Sequence, residues 1–165
     1  MIRFALLAAL ALAVMYPAGA RAGILDSPIP QLNAQKTSSL FTASGVVSAG
    51  GLATLFSCTN ASTDAADVSV QLFGDDGTLV NDAASVAVTV GVGGTALFST
   101  NENVDSSFFS THPLTAVPLL LTLGSARIIG TDKFVCTAFV ADVYNSPPNS
   151  ITPINLFAKS KQRGD

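Results

Sequence analysis

Two cysteines, Cys58 and Cys136, lie in two apolar runs whose side chains alternate in character. The first run, Leu52–Thr59, and the second, Phe134–Ala141, have the period of two that is typical of β-strands. In an exported chain, an even number of cysteines indicates a disulfide bond. The alternative is two free buried thiols, since free cysteine also packs as a small apolar side chain. We predict a Cys58–Cys136 disulfide that joins two strands.

The N-terminus has the layout of a secretory signal peptide. Residues 1–3 include one positive charge, residues 4–15 form an unbroken apolar run, and residues 18–22 supply small side chains at a cleavage spacing. We predict cleavage after Ala22, with cleavage after Ala20 as the alternative. The apolar run is too short for a membrane anchor, which needs about 20 residues. The mature chain is therefore expected to begin at Gly23, to be secreted to the periplasm or extracellular space, and not to insert into a membrane.

The mature chain predicts one all-β domain. Short alternating apolar runs are separated by turns rich in Gly, Asp and Asn, and none of them has a helical period. The predicted parts are a lead-in segment (residues 23–39), a β-sandwich domain (residues 40–158) and a basic tail (residues 159–165). We predict seven to nine strands in an immunoglobulin-like antiparallel sandwich, with a jelly roll as the alternative. The strand candidates are Leu40–Ser48, Leu52–Thr59, Val68–Leu72, Thr78–Val80, Val86–Val90, Thr95–Thr100, Leu119–Leu123, Ala126–Ile129, Phe134–Ala141 and Ile154–Ala158.

The charge balance excludes some partners. The whole chain has eight basic and eleven acidic residues, and loss of Arg3 and Arg21 with the signal makes it more acidic. No basic residue occurs between Lys36 and Arg127. Nucleic acid and anionic membrane surfaces are poor partners for such a chain. The clustered positive charges of the tail are interpreted as a solvated terminus.

Two resemblances follow from the segments around the cysteines. Thr54–Cys58 and Phe134–Cys136 resemble the two cysteine strands of immunoglobulin-like domains, and this resemblance implies one cysteine on each sheet, facing across the core. The longer segments GLATLFSCTN (residues 51–60) and GSARIIGTDKFVCTAFVAD (residues 124–142) are similar to small secreted bacterial β-sandwich proteins. The second resemblance implies export and a β fold, and it brings no catalytic residues.

The chain shows no strong catalytic or metal-binding motif. The Gly-x-Ser-x-Gly pattern of serine hydrolases is missing, and a single histidine, His112, cannot build a multi-histidine zinc site. Five acidic residues could offer oxygen ligands to calcium, but their spacing matches no calcium loop, and hairpin turns explain them better: Asp64, Asp67, Asp75, Asp76 and Asp82. We predict no cofactor and no metal site. The Asn60-Ala61-Ser62 glycosylation sequon has meaning only in a eukaryotic secretory route.

The segment Asn101–Pro118 is the candidate binding loop. It is long for a connection in a small β domain, and such loops are often functional. Phe108, Phe109 and His112 could present apolar and polar groups to an unknown protein or glycan partner. The alternative is that the two phenyl rings cap the open end of the fold. We therefore predict a secreted non-enzymatic binding or structural module, with a subunit of a larger extracellular assembly and a carboxylate-based hydrolase as alternatives.

Overall fold

The computed structural model describes residues 23–101, 109–115 and 119–159. The predicted signal peptide, and the tail beyond Lys159, lie outside these residues. The described chain is all-β and contains ten strands and no helix. The strands are β1 (Ser38–Ala49), β2 (Leu52–Asn60), β3 (Ala66–Phe73), β4 (Val88–Val90), β5 (Thr95–Ser99), β6 (His112–Pro113), β7 (Leu121–Gly130), β8 (Phe134–Asp142), β9 (Ile151–Ile154) and β10 (Leu156–Ala158). In the ranges given above, no helix is long and apolar enough to cross a membrane.

The strands form one strongly curled, mixed sheet. Strands β4, β3, β7, β1 and β10 make a first wall, and strands β9, β8, β2, β5 and β6 make a second wall. The β1–β2 hairpin joins the two walls. All described pairings are antiparallel except that of β5 with β6, which makes the sheet mixed.

The main core fills the inside of the curl. Alternate residues of β3 and β7, such as Val70 and Ile128, pack there with Phe56 of β2 and Phe98 of β5. All four side chains are fully buried. Because alternate residues of a strand point to one face, the apolar members of each alternating run reach the same core. Burial of one such side chain contributes about 1.5–3 kcal/mol.

Buried hydroxyl groups satisfy the backbone where the sheet curls. Thr54 Oγ1 accepts a hydrogen bond from Val47 N at 2.8 Å and donates to Val47 O at 3.1 Å. Thr100 Oγ1 donates to the same carbonyl at 2.8 Å and accepts from Thr54 N at 3.0 Å. Ser48 Oγ donates to Thr100 O at 2.9 Å. These side-chain hydrogen bonds replace the backbone–backbone hydrogen bonds that β1 and β2 lose where the two strands separate. The sheet can therefore curl here without leaving these buried backbone groups unpaired.

Gly50 and Gly51 form the turn between β1 and β2. Both residues have positive φ, at 59° and 80°, a region that glycine enters without steric cost. A Cβ atom on Gly51 would lie 2.6 Å from the ring of Tyr144. The turn therefore needs glycine for its backbone, and Gly51 also for the space that Tyr144 occupies.

The Cys58–Cys136 disulfide is confirmed, but its predicted place in the fold is wrong. The two cysteines do not face across the core from opposite sheets. They are directly opposed on the neighbouring strands β2 and β8, with their Cα atoms 4.2 Å apart. The alternating pattern predicts which face of its strand each cysteine lies on, and both lie on the inner face. The pattern does not predict which strands are neighbours in the sheet.

Four of the predicted strands are absent, merged or divided in the structure. Thr78–Val80 forms no strand, and only an isolated bridge joins Phe73 to Leu79. Leu119–Leu123 and Ala126–Ile129 are not separate strands, because β7 runs through Gly124 from Leu121 to Gly130. The predicted last strand is divided into β9 and β10 by Asn155.

Candidate functional site

Phe109, in the described part of the candidate binding loop, packs on the outer face of the second wall. The Phe109 ring is half-buried and lies 5.9 Å from the Phe139 ring, centroid to centroid. Phe109 covers a small apolar cluster that includes Leu55 and Ala141. Phe108 lies outside the described residues. Phe109 therefore covers part of an apolar patch on the outer face of the second wall, and it keeps an exposed part.

The second half of the loop is tied to strand β5. His112 begins strand β6, which pairs in parallel with β5 opposite Phe98. The His112 side chain is exposed, and its ring lies 5.9 Å from the Phe98 ring. Leu114 is buried and its backbone N–H donates to Ser99 O at 2.8 Å. These contacts hold His112 at the edge of the second wall with its imidazole open to solvent.

A second site, which the sequence reasoning missed, is built around Arg127 on the outer face of the first wall. The side chain is 3% exposed and its donors reach only neutral oxygen atoms. Nε and Nη2 donate to Gln71 Oε1 at 2.9 and 2.7 Å. Nη1 donates to Ile24 O at 2.8 Å, and Nη2 also donates to Ser27 O at 2.7 Å and Pro28 O at 3.3 Å. Arg127 therefore attaches the lead-in segment to the sheet.

The surroundings of Arg127 follow from the strand register. Gln71, Arg127, Thr42 and Phe157 are consecutive cross-strand partners on β3, β7, β1 and β10, so they form one row on the outer face. The guanidinium also lies 5.7 Å from the centroid of the Phe73 ring, within cation–π range. Burial lowers the pKa of Arg127 from its ordinary value because it penalises the charged form.

The lead-in segment and the outer face of the first wall border a small open pocket of about 270 Å³. Ile24, Leu25 and Ile29 of the lead-in segment supply its apolar lining. Its polar lining comes from the sheet and its end: Ser39, Thr42, Arg127 and Lys159. The pocket is thus lined by two cationic and two hydroxyl side chains on one side and by apolar side chains on the other.

The acidic residues considered for calcium mostly serve local turns. Asp76 Oδ1 accepts from Thr78 N at 2.9 Å, and Asp82 Oδ1 accepts from Ala84 N at 3.1 Å. Within the described ranges, no group of three or more histidine, cysteine, aspartate or glutamate side chains could hold a metal ion. Asp67 is buried and accepts from Thr89 Oγ1 at 2.5 Å, while its Oδ2 atom has no partner in the described chain.

The asparagine of the glycosylation sequon has a structural role. Asn60 is 2% exposed, and its Nδ2 donates to Asp64 O and Val90 O, both at 2.8 Å. Its Oδ1 accepts from Ser62 N at 2.9 Å and also from the Ser62 hydroxyl. The folded chain therefore leaves the Asn60 amide neither accessible nor free for a glycan.

One signal in the sequence could have revealed the Arg127 site. Arg127 stands between Ala126 and Ile128 in an apolar strand, and a charged residue at such a position is buried only with partners. The hydrogen-bond partners of Arg127 could not be predicted from the sequence. Three of them are backbone carbonyl groups of the lead-in segment, about 100 residues away in the chain.

Comparison with known proteins brings no further identification. No protein-family model, curated protein or solved structure matches this chain.

Proposed function

We propose that this chain is a secreted, non-enzymatic binding module of the periplasm or cell surface. The observation that carries the proposal is the Cys58–Cys136 disulfide, which joins the central strands β2 and β8. Structural disulfides form and persist in oxidising compartments and are rare in the cytosol. The export layout of residues 1–22 supports the same location.

The finer fold that we propose is an immunoglobulin-like β-sandwich. Support comes from the inner faces of the two walls, which pack on each other through one apolar cluster. Sandwiches bury the inner faces of two sheets in this way and leave their connecting loops free for recognition. The disulfide departs from the immunoglobulin pattern because it lies within one wall.

The binding surface that we propose is the loop of residues 101–118. Phe109 keeps part of its ring exposed beside Phe139, and His112 is exposed at the neighbouring edge. An aromatic ring next to a polar group is a frequent anchor for protein and glycan partners. The hydrolase alternative has less support, because Asp76 and Asp82 already accept hydrogen bonds within their own turns.

A subunit of a larger extracellular assembly is the second candidate. The short strands β9 and β10 each present a large apolar side chain to solvent, with Ile151 53% and Phe157 60% exposed. Short strands with exposed apolar residues can pair with a neighbouring chain. Size-exclusion chromatography with light scattering distinguishes this candidate, since it predicts a mass well above that of one mature chain.

The test of the binding module is recovery of partners from the native extract by the exported, oxidised protein. A Phe108→Ser, Phe109→Ser double variant should lose partners that the wild-type chain recovers. Val92→Ser is the matched control, because Val92 is an exposed apolar residue in the turn before β5. All three proteins are first shown to be folded by their denaturant midpoints. Equal recovery by the double variant and the control would remove this loop as the binding site.

A further inference from the structure

We propose that the pocket between the lead-in segment and the first wall binds a small aliphatic carboxylate. This site is distinct from the loop of residues 101–118, so the inference stands whether or not that loop recognises a partner. Four observations carry it: the charge of the pocket, its unused donors, its apolar lining and its size.

The charge of the pocket opposes that of the chain as a whole. Eleven acidic residues outnumber eight basic ones in the sequence, yet Arg127 and Lys159 both line this cavity. The described partners of Arg127 are all neutral oxygen atoms, so no carboxylate of the described residues is hydrogen-bonded to it. Arg127 is itself buried, and a buried cation without an anionic hydrogen-bond partner is stabilised by an anion that binds beside it.

The pocket also holds donors that the described chain leaves unused. Arg127 commits Nε, both hydrogens of Nη2 and one hydrogen of Nη1, which leaves one Nη1 hydrogen. No described residue bonds the hydroxyl groups of Ser39 and Thr42 or the ammonium of Lys159. These four donor groups match the roughly four lone-pair sites of one carboxylate.

The apolar lining of the pocket indicates what is attached to the carboxylate. Ile24, Leu25 and Ile29 line the pocket, and the Leu25 side chain is 83% exposed although it borders a cavity. A volume of about 270 Å³ is slightly below the usual range for sites that hold drug-sized ligands. The cavity therefore suits a short alkyl chain that covers these side chains while its carboxylate reaches the cations.

The experiment is an NMR titration of the oxidised mature protein with hexanoate, acetate and hexan-1-ol. Hexanoate should shift the amide signals of residues 24–27 and of Ile29, Thr42 and Arg127. It should bind at least about tenfold more tightly than acetate, because each fully buried CH₂ group is worth about fourfold in affinity. It should also bind more tightly than hexan-1-ol, which lacks the charge. Equal affinity for hexanoate and either control, or shifts located elsewhere, would overturn the proposal.

Variants separate the charged and apolar contributions to hexanoate affinity and leave the buried Arg127 unchanged. Lys159→Gln should weaken hexanoate and acetate by about three- to tenfold, as loss of one charge-assisted contact predicts. Lys133→Gln removes an exposed lysine in the β7–β8 turn and should leave both affinities unchanged. Leu25→Ser should weaken hexanoate but not acetate. If Lys159→Gln and Lys133→Gln bind hexanoate equally well, the pocket is not the anion site.

Discussion

Substitution of Arg127 by methionine tests how the lead-in segment is held. Methionine keeps much of the side-chain volume and removes every donor. Gln71 Oε1, which accepts from Arg127 at 2.7 Å, would remain buried without a partner at a cost of about 1–3 kcal/mol. The carbonyl groups of Ile24, Ser27 and Pro28 would also lose their donors, but water can reach them once the segment detaches. We expect a loss of about 2–4 kcal/mol in the free energy of unfolding.

Two measurements distinguish this loss from a general defect. The denaturant midpoint should fall for Arg127→Met and stay nearly unchanged for Lys133→Met, which replaces an exposed cation. Hydrogen exchange should become faster at the amides of Asp26 and Ser27, which bond to Gly23 O in the folded chain.

A double substitution tests the pairing of Arg127 with Gln71. Replacing both partners by apolar residues removes the unsatisfied acceptor, so Arg127→Met with Gln71→Leu should cost less than the sum of the two single changes. A wild-type midpoint for Arg127→Met, with unchanged exchange at Asp26 and Ser27, would show that Arg127 does not hold the lead-in segment.

Three further predictions concern stability and ionisation. The double variant Cys58→Ala, Cys136→Ala should lose about 4 kcal/mol by denaturant midpoint, because the bond closes a loop with a sequence separation of 78 residues. Asn60→Ala should lose about 2–3 kcal/mol in the same assay, since four hydrogen bonds end on this buried amide. The pKa of the Asp142 carboxyl, measured by NMR, should lie below its ordinary value because Tyr144 N and Asn145 Nδ2 donate to it. Asn145→Ala should raise that pKa, and the stabilisation by charged Asp142 should be present above its unfolded pKa and vanish as pH falls through the lower folded pKa.

Each of these predictions has a contradicting outcome. An unchanged midpoint for the double cysteine variant would mean that the sulfur atoms act only as packing groups. Wild-type stability of Asn60→Ala would show that water replaces its hydrogen bonds without cost. An Asp142 pKa that responds equally to Asn145→Ala and to Asn33→Ala, a change in the lead-in segment, would exclude the local hydrogen bond as its cause.

The strands were largely predictable because their signal is local. Alternation over Leu52–Thr59 and Phe134–Ala141 depends only on neighbouring residues, and β2 and β8 extend each run by a single residue. The continuity of β7 was not predictable, because Gly124 could equally have marked a turn between two strands. A Cβ atom there would lie 2.6 Å from Phe73 O, so this glycine permits close approach of β3 rather than a break.

The candidate site was less predictable because its contacts are distant in sequence. The lead-in segment contains two prolines and no periodicity, so its own sequence indicates no regular structure. It is instead held by Arg127, whose Nη atoms bond backbone carbonyl groups that have no side-chain signature. Pairing of the cysteines followed from their even number, whereas their position on adjacent strands depended on the order of strands around the curl.

We propose that the chain is exported to an oxidising compartment, where the Cys58–Cys136 disulfide joins β2 and β8. Non-reducing peptide mapping of the protein recovered from outside the cytoplasm tests it most directly. We predict a mature N-terminus at Gly23, one peptide that contains Cys58 linked to another that contains Cys136, and a mass two hydrogens below that of the reduced chain. Two alkylatable thiols in that exported protein, without prior reduction, would contradict the account.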